Sequence, residues 1–393
     1  MNPYFKNLNT VLRNYQRAIP CLVIDLDILD ENIETTLSNL RENVALRIVV
    51  KSLPSYELIE YISQRLDTYK LMVFHQPFLS DLVVRLDKRH DVLLGKPMPV
   101  KTAEYFYDRF LEKKHKEFNP FTQIQWLVDT EKRIIEYIEL ARKLNQKLQL
   151  NIEIDVGLHR GGFSTLASLK KGLKLIEENN EFVAFSGFMG YDPHVVKLPK
   201  IIRTEKKALQ MANQFYEECK DVVQNDFPTL WRDDLTFNGA GSPTLNLHKT
   251  KQSPINDISI GSCFLKPTTF DIDSLKKYRP ATFIATPVLK TFENISIPGL
   301  EKLKSFFRKK SLFIYGGFWK ADYYYPEGIK QNTLFGSSTN QTLLNVPKKT
   351  SIEIDDFVFL RPHQSEFVLL QFGEILPVKN GQIMKAWTLL NNV

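Results

Sequence analysis

Cysteine is scarce in this sequence: Cys21, Cys219 and Cys263 are the three among 393 residues. Their number is odd and no two lie close together. That pattern excludes a disulfide framework and a cysteine-rich zinc site. No uninterrupted apolar run approaches the roughly 18 residues that a membrane helix needs. The opening stretch MNPYFKNLNTVLRNYQ lacks the apolar centre of a signal peptide. A protein of the reducing cytoplasm, with no membrane partner, is the expectation. No internal repeat and no low-complexity segment is present. The net charge of +7 is spread along the chain. The densest basic runs, Lys113-Lys114-His115-Lys116 and Arg308-Lys309-Lys310, sit in polar surroundings. They read as solvated faces, so no nucleic-acid partner is expected.

What is present is ordinary in composition and regular in pattern. Hydrophobic residues make up 43% and charged residues 25%, as in soluble globular chains. The length allows one large domain and a smaller one. Strand-like runs fall near 44–50, 70–75, 91–94, 123–128, 147–155, 181–190, 233–239 and 256–264. Helical patterns lie between most of them. TEKRIIEYIELARKLNQ places Ile134, Ile135, Ile138, Leu140 and Ala141 on one stripe, and TEKKALQMANQFYEECKDVV is a second example. Strands alternating with helices imply a parallel sheet covered by helices. Eight such units over roughly 220 residues match a (β/α)8 TIM-type barrel. A doubly wound open sheet is the alternative, since periodicity alone does not close a barrel.

After about residue 275 the helical patterns stop. ATFIATPVLKTF, SLFIYGGFWKADYYY, IEIDDFVFLRP and EILPVKNGQIMKAWTLL read as strands separated by turns. The Asn-Gly pair in VKNGQIMKAW marks a tight hairpin. The expected fold is α/β: a barrel over 27–275, then a C-terminal β-domain over 276–393, with residues 1–26 packing on it.

A barrel of this kind carries its chemistry at the C-terminal ends of its strands. The first strand, in LRIVVKSLP, is apolar and β-branched, yet it delivers an ammonium group, Lys51, at its end. The fifth runs into DVGLHRGGF, with Asp155, His159 and Arg160. The sixth ends in GYDPH, with Tyr191 and His194. The seventh runs into NGAGSPT, residues Asn238 to Thr244, and the eighth contains IGSC, with Gly261 and Ser262. The last two loops suit a phosphate. Glycine lets backbone N–H groups approach an anion, and Ser242, Thr244 and Ser262 add hydroxyls. A lysine facing such a cradle suits a Schiff base with pyridoxal phosphate. Plainer readings stand beside these: a surface lysine, an Arg160–Asp155 ion pair, Tyr191 as core packing, and His159 and His194 as structural histidines.

The motifs together resemble the fold-type III pyridoxal-phosphate enzymes, the alanine racemase superfamily. They are most similar to its D-threonine aldolase and D-serine dehydratase branch, which includes proteins labelled amino acid deaminase/aldolase. IPCLVIDLDILDENI resembles that branch's opening segment and LRIVVKSLPS its cofactor-lysine strand. EIDVGLHRGGF, FSGFMGYDPH, LTFNGAGSPT and DISIGSCFLKPTTFD follow in family order. The resemblance covers residues 18–275 well and the C-terminal part poorly.

The resemblance implies pyridoxal 5'-phosphate held as an aldimine on Lys51, which also shuttles the α-proton on one face. It implies Arg160 near the cofactor's phenolic oxygen and Tyr191 close to the ring. Asn238, Gly239, Ala240, Gly241, Ser242, Gly261 and Ser262 would surround the phosphate. It further implies a lyase acting on a small D- or β-hydroxy amino acid, by aldol cleavage or β-elimination. The alternatives are an amino acid racemase and a non-catalytic cofactor-binding protein. A homodimer is implied, with the site completed by the partner's β-domain; Tyr323, Tyr324 and Tyr325 are candidates for that contribution. Three features depart from the family. Ser259 stands where racemases place an arginine on the pyridine nitrogen. The typical GGGTG loop reads GAGSP. The metal-ligand pair of metal-dependent members reduces to His363 with Ser365, or with Glu366 at a different spacing. Serine is a poor zinc ligand, so activity without stoichiometric zinc is expected.

Overall fold

Three threonines set the starts of three helices. Thr130, Thr165 and Thr204 lie in extended backbone, and their side chains accept from the amides of Arg133, Ser168 and Lys207. Each such cap is worth about 1 kcal/mol. The helices Glu131–Leu144, Leu166–Glu178 and Glu205–Asp226 follow. In the first, Ile134, Ile138, Leu140 and Ala141 are buried, but Ile135 is 43% exposed. One residue turns a helix by about 100°, which carries Ile135 off the stripe on which the sequence pattern placed it.

The computed structural model describes residues 2–111, 117–197, 199, 201, 203–250, 252–293, 299, 310–333, 336 and 338–391. The basic run Lys113 to Lys116 and the pair Arg308-Lys309 lie outside them. Strand β1 spans Cys21–Asp25. Strands β2 (Ala45–Val49), β3 (Lys70–Val73), β4 (Asp91–Leu94), β5 (Ile124–Val128), β6 (Leu148–Glu153), β7 (Val183–Gly190), β8 (Thr236–Gly239) and β9 (Asp257–Ile260) follow. Each of β2 to β9 pairs in parallel with the next, and β9 returns to β2 in the register Ala45↔Asp257 to Ile48↔Ile260. The barrel is closed, and the open-sheet alternative is set aside.

The barrel interior is polar at one level. Arg47 on β2 is fully buried and holds both oxygens of Asp257, Nε to Oδ1 and Nη2 to Oδ2, at 2.9 Å each. Its Nη1 donates to Asp91 on β4 at 2.7 Å. Gln125 on β5 donates to Thr236 on β8 at 3.1 Å. Strands β2 and β9 are neighbours, but β2 and β4, and β5 and β8, are not, so the last two bonds run across the inside of the barrel. Buried charges and amides tolerate such a place only when paired.

The remaining strands are β10 (Thr282–Phe292), β11 (Ser311–Tyr315), β12 (Ala321–Tyr325), β13 (Lys330–Gln331), β14 (Gln341–Asn345), β15 (Phe357–Pro362), β16 (Glu374–Lys379), β17 (Gln382–Ile383) and β18 (Trp387–Thr388). With β1 they form one mixed sheet, in which β1 runs antiparallel to β10 and parallel to β16. Asn380 and Gly381 join β16 to β17 with φ of 49° and 69°, the left-handed pair a two-residue hairpin requires. Helix Pro3–Arg13 lays Phe5, Leu8 and Leu12 against Val23, Phe283, Phe359 and Leu376. Two compact units result. Met1–Asn32, Phe264–Asp271 and Lys276–Leu389 form one; Ile33–Cys263, Ile272–Leu275 and Leu390–Val393 form the other. The three cysteines are free thiols. Among the described residues no helix is long and apolar enough to cross a membrane.

Candidate active site

Parallel strands of a closed barrel deliver their C-terminal ends to one rim. Strand β2 ends at Val49, and Val50–Ser52 is a single 3-10 turn. Lys51 is therefore in the turn that follows the strand, not its last residue as the pattern suggested. Gly261, after β9, packs directly on this turn. A Cβ there would lie 2.9 Å from the Val49 carbonyl oxygen and 3.2 Å from Ser52 Cβ, so only glycine fits. Lys51 is half-buried, and its ammonium lies 4.5 Å from the centre of the Phe74 ring. An aromatic face offsets part of the desolvation of a cation. The hydroxyls of Ser52 and Ser262 meet at 2.9 Å.

The loop after β8 continues the ring. Ser242 Oγ accepts from the amides of Gly261 (3.4 Å) and Cys263 (3.1 Å), which leaves its own proton to donate. Gly241 donates its N–H to Thr244 Oγ1 at 3.1 Å, while its carbonyl accepts from Thr244 and Leu245. Ala240 takes the left-handed region, φ 57°, which costs a non-glycine residue about 1 kcal/mol or more. The amides of Ser242 and Ser262 make no hydrogen bond among the described residues. Next comes the loop after β7: a Cβ on Gly241 would stand 2.8 Å from the Tyr191 ring. Arg160, from the loop after β6, lies with its guanidinium 5.4 Å from the centre of that ring. Lys51, Gly261, Ser262, Ser242, Gly241, Tyr191 and Arg160 thus form one chain of contacts across four strand-end loops and the turn after β2.

Charge is distributed unevenly on this rim. Asp155 accepts from the Gly157 amide, the His159 amide and His159 Nδ1, at 3.0, 2.8 and 2.9 Å. Burial pushes its carboxyl up, but these bonds outweigh it and hold it below the ordinary carboxylate range. His159, not Arg160, is the partner of Asp155. Glu153 moves the other way: burial raises it, Asp129 adds to that, and Arg160 only partly opposes. His194 is buried, its Nδ1 has no hydrogen-bond partner among the described residues, and burial lowers its affinity for a proton.

Some expected residues point elsewhere. Asn238 belongs to β8 and is turned into the barrel, donating to Asp257 Oδ1 (2.6 Å) and Ser259 Oγ (2.8 Å). It supports the strand ends from below instead of lining the loop. Gly239 closes the strand, with Ile255 where a side chain would go. Thr244 spends its hydroxyl proton on Asp192 at 2.7 Å. His363 and Glu366 belong to the other unit. There His363 Nε2 meets Asp322 Oδ1 at 2.8 Å, while Glu366 lies in the first turn of helix Ser365–Val368 and Ser365 is fully buried. Tyr325 stacks on Phe5 at 4.7 Å, and Tyr324 packs on Phe5 and Phe283. Asp192, His248 and Ser253 were not singled out in the sequence. The only signal was that Asp192 and His248 lie in, or just after, loops already marked as functional.

The family model described as alanine racemase, N-terminal domain, matches residues 24–261. No curated protein matches the chain. Among solved structures, the chain is similar to D-threonine aldolase from Filomicrobium marinum, at 14% identity and a TM-score of 0.73, covering 96% of this chain and 98% of that one. D-threo-3-hydroxyaspartate dehydratase from Delftia sp. HT23 is similar at 12% identity and a TM-score of 0.71, covering 97% and 99%. An alanine racemase of Clostridium difficile 630 is similar at 14% identity and a TM-score of 0.70, covering 95% and 99%. Likeness at this level of identity shows a shared fold.

Proposed function

The chain belongs to the alanine racemase N-terminal domain family, of fold type III, and from that premise we propose that it is a pyridoxal 5'-phosphate-dependent lyase. Its substrate would be a small D- or β-hydroxy amino acid, cleaved by aldol cleavage or β-elimination. The observation that carries this reading is the run of contacts from Lys51 to Arg160 around one barrel rim. The residues fit the cofactor. A primary amine sits beside two loops whose Ser242 and Ser262 amides lack partners, and an unsatisfied buried amide is a ready donor to an anion. Lys51 would carry the group, with the Ser242 and Ser262 loops around its phosphate. Arg160 and Tyr191 would lie along the same rim.

When bound, the cofactor withdraws electrons from the substrate Cα, and the protein selects which bond breaks. The chain's own residues do the rest. The Lys51 amine takes or returns a proton at Nζ. Gly241 lets its loop close on Tyr191 where any side chain would collide. Arg160 adds positive charge on the face of Tyr191. As in the family, a homodimer is the proposed assembly.

The test is a panel of D- and L-amino acids given to the purified protein. Glycine with an aldehyde, or a 2-oxo acid with ammonia, is expected. The enantiomer alone would make the protein a racemase. Bound cofactor with no product from any substrate would make it a binding protein. A second expectation concerns Gly241→Val. The branched side chain meets the Tyr191 ring, so the loop must shift while the barrel strands stay in place. The dissociation constant for pyridoxal 5'-phosphate, from absorbance titration, should rise tenfold or more. An unchanged constant would remove this loop from the site.

A further inference from the structure

A buried relay behind the β8 loop takes no part in the chemistry above. It joins Thr244, Asp192, His248 and Ser253, which are 0%, 3%, 3% and 7% exposed. Its directions follow from donor and acceptor counting. Gly241 N–H occupies Thr244 Oγ1 as acceptor, so Thr244 turns its proton to Asp192 Oδ1. The other oxygen, Oδ2, accepts from His248 Nε2 at 2.7 Å. The other ring nitrogen, Nδ1, meets Ser253 Oγ at 2.7 Å, which fixes the plane of the ring. A carboxylate out of water thus has a donor on each oxygen. The main-chain group at the end of this relay is the Gly241 amide.

We propose that Asp192 is a positioning residue for the phosphate monoester of the cofactor, an inference that rests on the reading above. Acting through Thr244, it turns the Gly241 amide into the loop. The Ser242 amide is then the loop donor without an internal partner, and Ala240 is kept in its left-handed conformation. His248 and Ser253 hold the carboxylate so that Thr244 stays in register. The loop's shape before any ligand arrives is therefore set by a residue that does not touch the ligand. Such preorganisation raises affinity by lowering the ordering cost of binding.

The relay would act on the phosphate end alone, which separates it from a general structural role. Apoprotein is titrated with pyridoxal 5'-phosphate and, separately, with pyridoxal, following the absorbance of the bound ligand. Thr244→Val removes the hydroxyl at nearly constant volume. The dissociation constant for the phosphate ester should rise tenfold or more, that for pyridoxal should stay within twofold, and Thr244→Ser should restore the wild-type ratio. Should the valine variant fail to fold, Asp192→Asn serves. Its amide replaces two acceptor oxygens by one acceptor and one NH2 donor, so a bond from Thr244 or His248 must reverse and the charge is lost, and the same phosphate-specific loss is expected. Equal losses for both ligands, or no loss in a folded variant, would overturn the inference. Failure of the wild type to bind pyridoxal 5'-phosphate would overturn the functional reading itself, and the inference with it.

Discussion

Replacing Lys51 by alanine is expected to reduce turnover by roughly 10²–10⁴-fold from lost proton transfer alone, and further because the cofactor loses its attachment. The residue sits in a one-turn segment pinned by Gly261, so the backbone places the amine without help from the side chain. Its ammonium faces the Phe74 ring, and a half-buried cation–π contact is worth about 1 kcal/mol. Thermal stability should therefore change little while activity collapses. Borohydride treatment of the loaded wild type, followed by peptide mapping, should place the cofactor on Lys51. Label on another lysine, or an active Lys51→Ala, would sink the assignment.

The second large effect lies deeper in the barrel. Arg47→Met takes from Asp257, 1% exposed, its two-bond pairing with a guanidinium and leaves it with Asn238 and Lys70. Removing one partner of a buried ion pair costs roughly 3–5 kcal/mol, and the stability read from urea unfolding should fall by up to that amount. The sign of the pH dependence follows. Burial pushes the Asp257 carboxyl up, but Arg47, Lys70 and Asn238 outweigh it and hold it below the ordinary range. Its stabilising contribution is full above the unfolded value of about 3.9 and is lost as pH falls through the lower folded value. In Arg47→Met only Lys70 and Asn238 oppose the burial penalty, so protonation should relieve the variant before the wild type. The stability gap between wild type and variant should be widest near neutrality and narrow on acidification. A gap that does not depend on pH would mean that Arg47 contributes packing and not charge.

The local pattern carried most of the fold. Runs of period 2 and stripes of period 3.6 are properties of a few neighbouring residues, so eight strands, their order and the Asn-Gly hairpin could be read from the chain alone. Glycines and hydroxyls at strand ends were legible for the same reason, because a loop's backbone needs are written in its own residues. Lys51 was legible as an ammonium group out of place after an apolar strand. Whether the eight strands close was not, since the pairing of β2 with β9 joins Ala45 to Asp257, a contact no local period reports. The place of β1 beside β10 and β16 was hidden likewise.

Within the rim, the limit is direction. Sequence says that Asn238 follows an apolar run; only the pleat decides that its amide faces into the barrel and bonds Asp257 and Ser259. Asp155 has a histidine and an arginine in adjacent positions, and backbone geometry selects His159. Asp192 and His248 are 56 residues apart and meet at 2.7 Å because two neighbouring strands end side by side. Residue types and spacing determined which chemistry was within the chain's means: an amine, an anion cradle, an aromatic ring and a guanidinium on successive strand ends. Tertiary structure decided which of those groups touch and which are spent on one another, since hydrogen bonds and burial depend on distances in space that strand pairing sets and the order of residues does not.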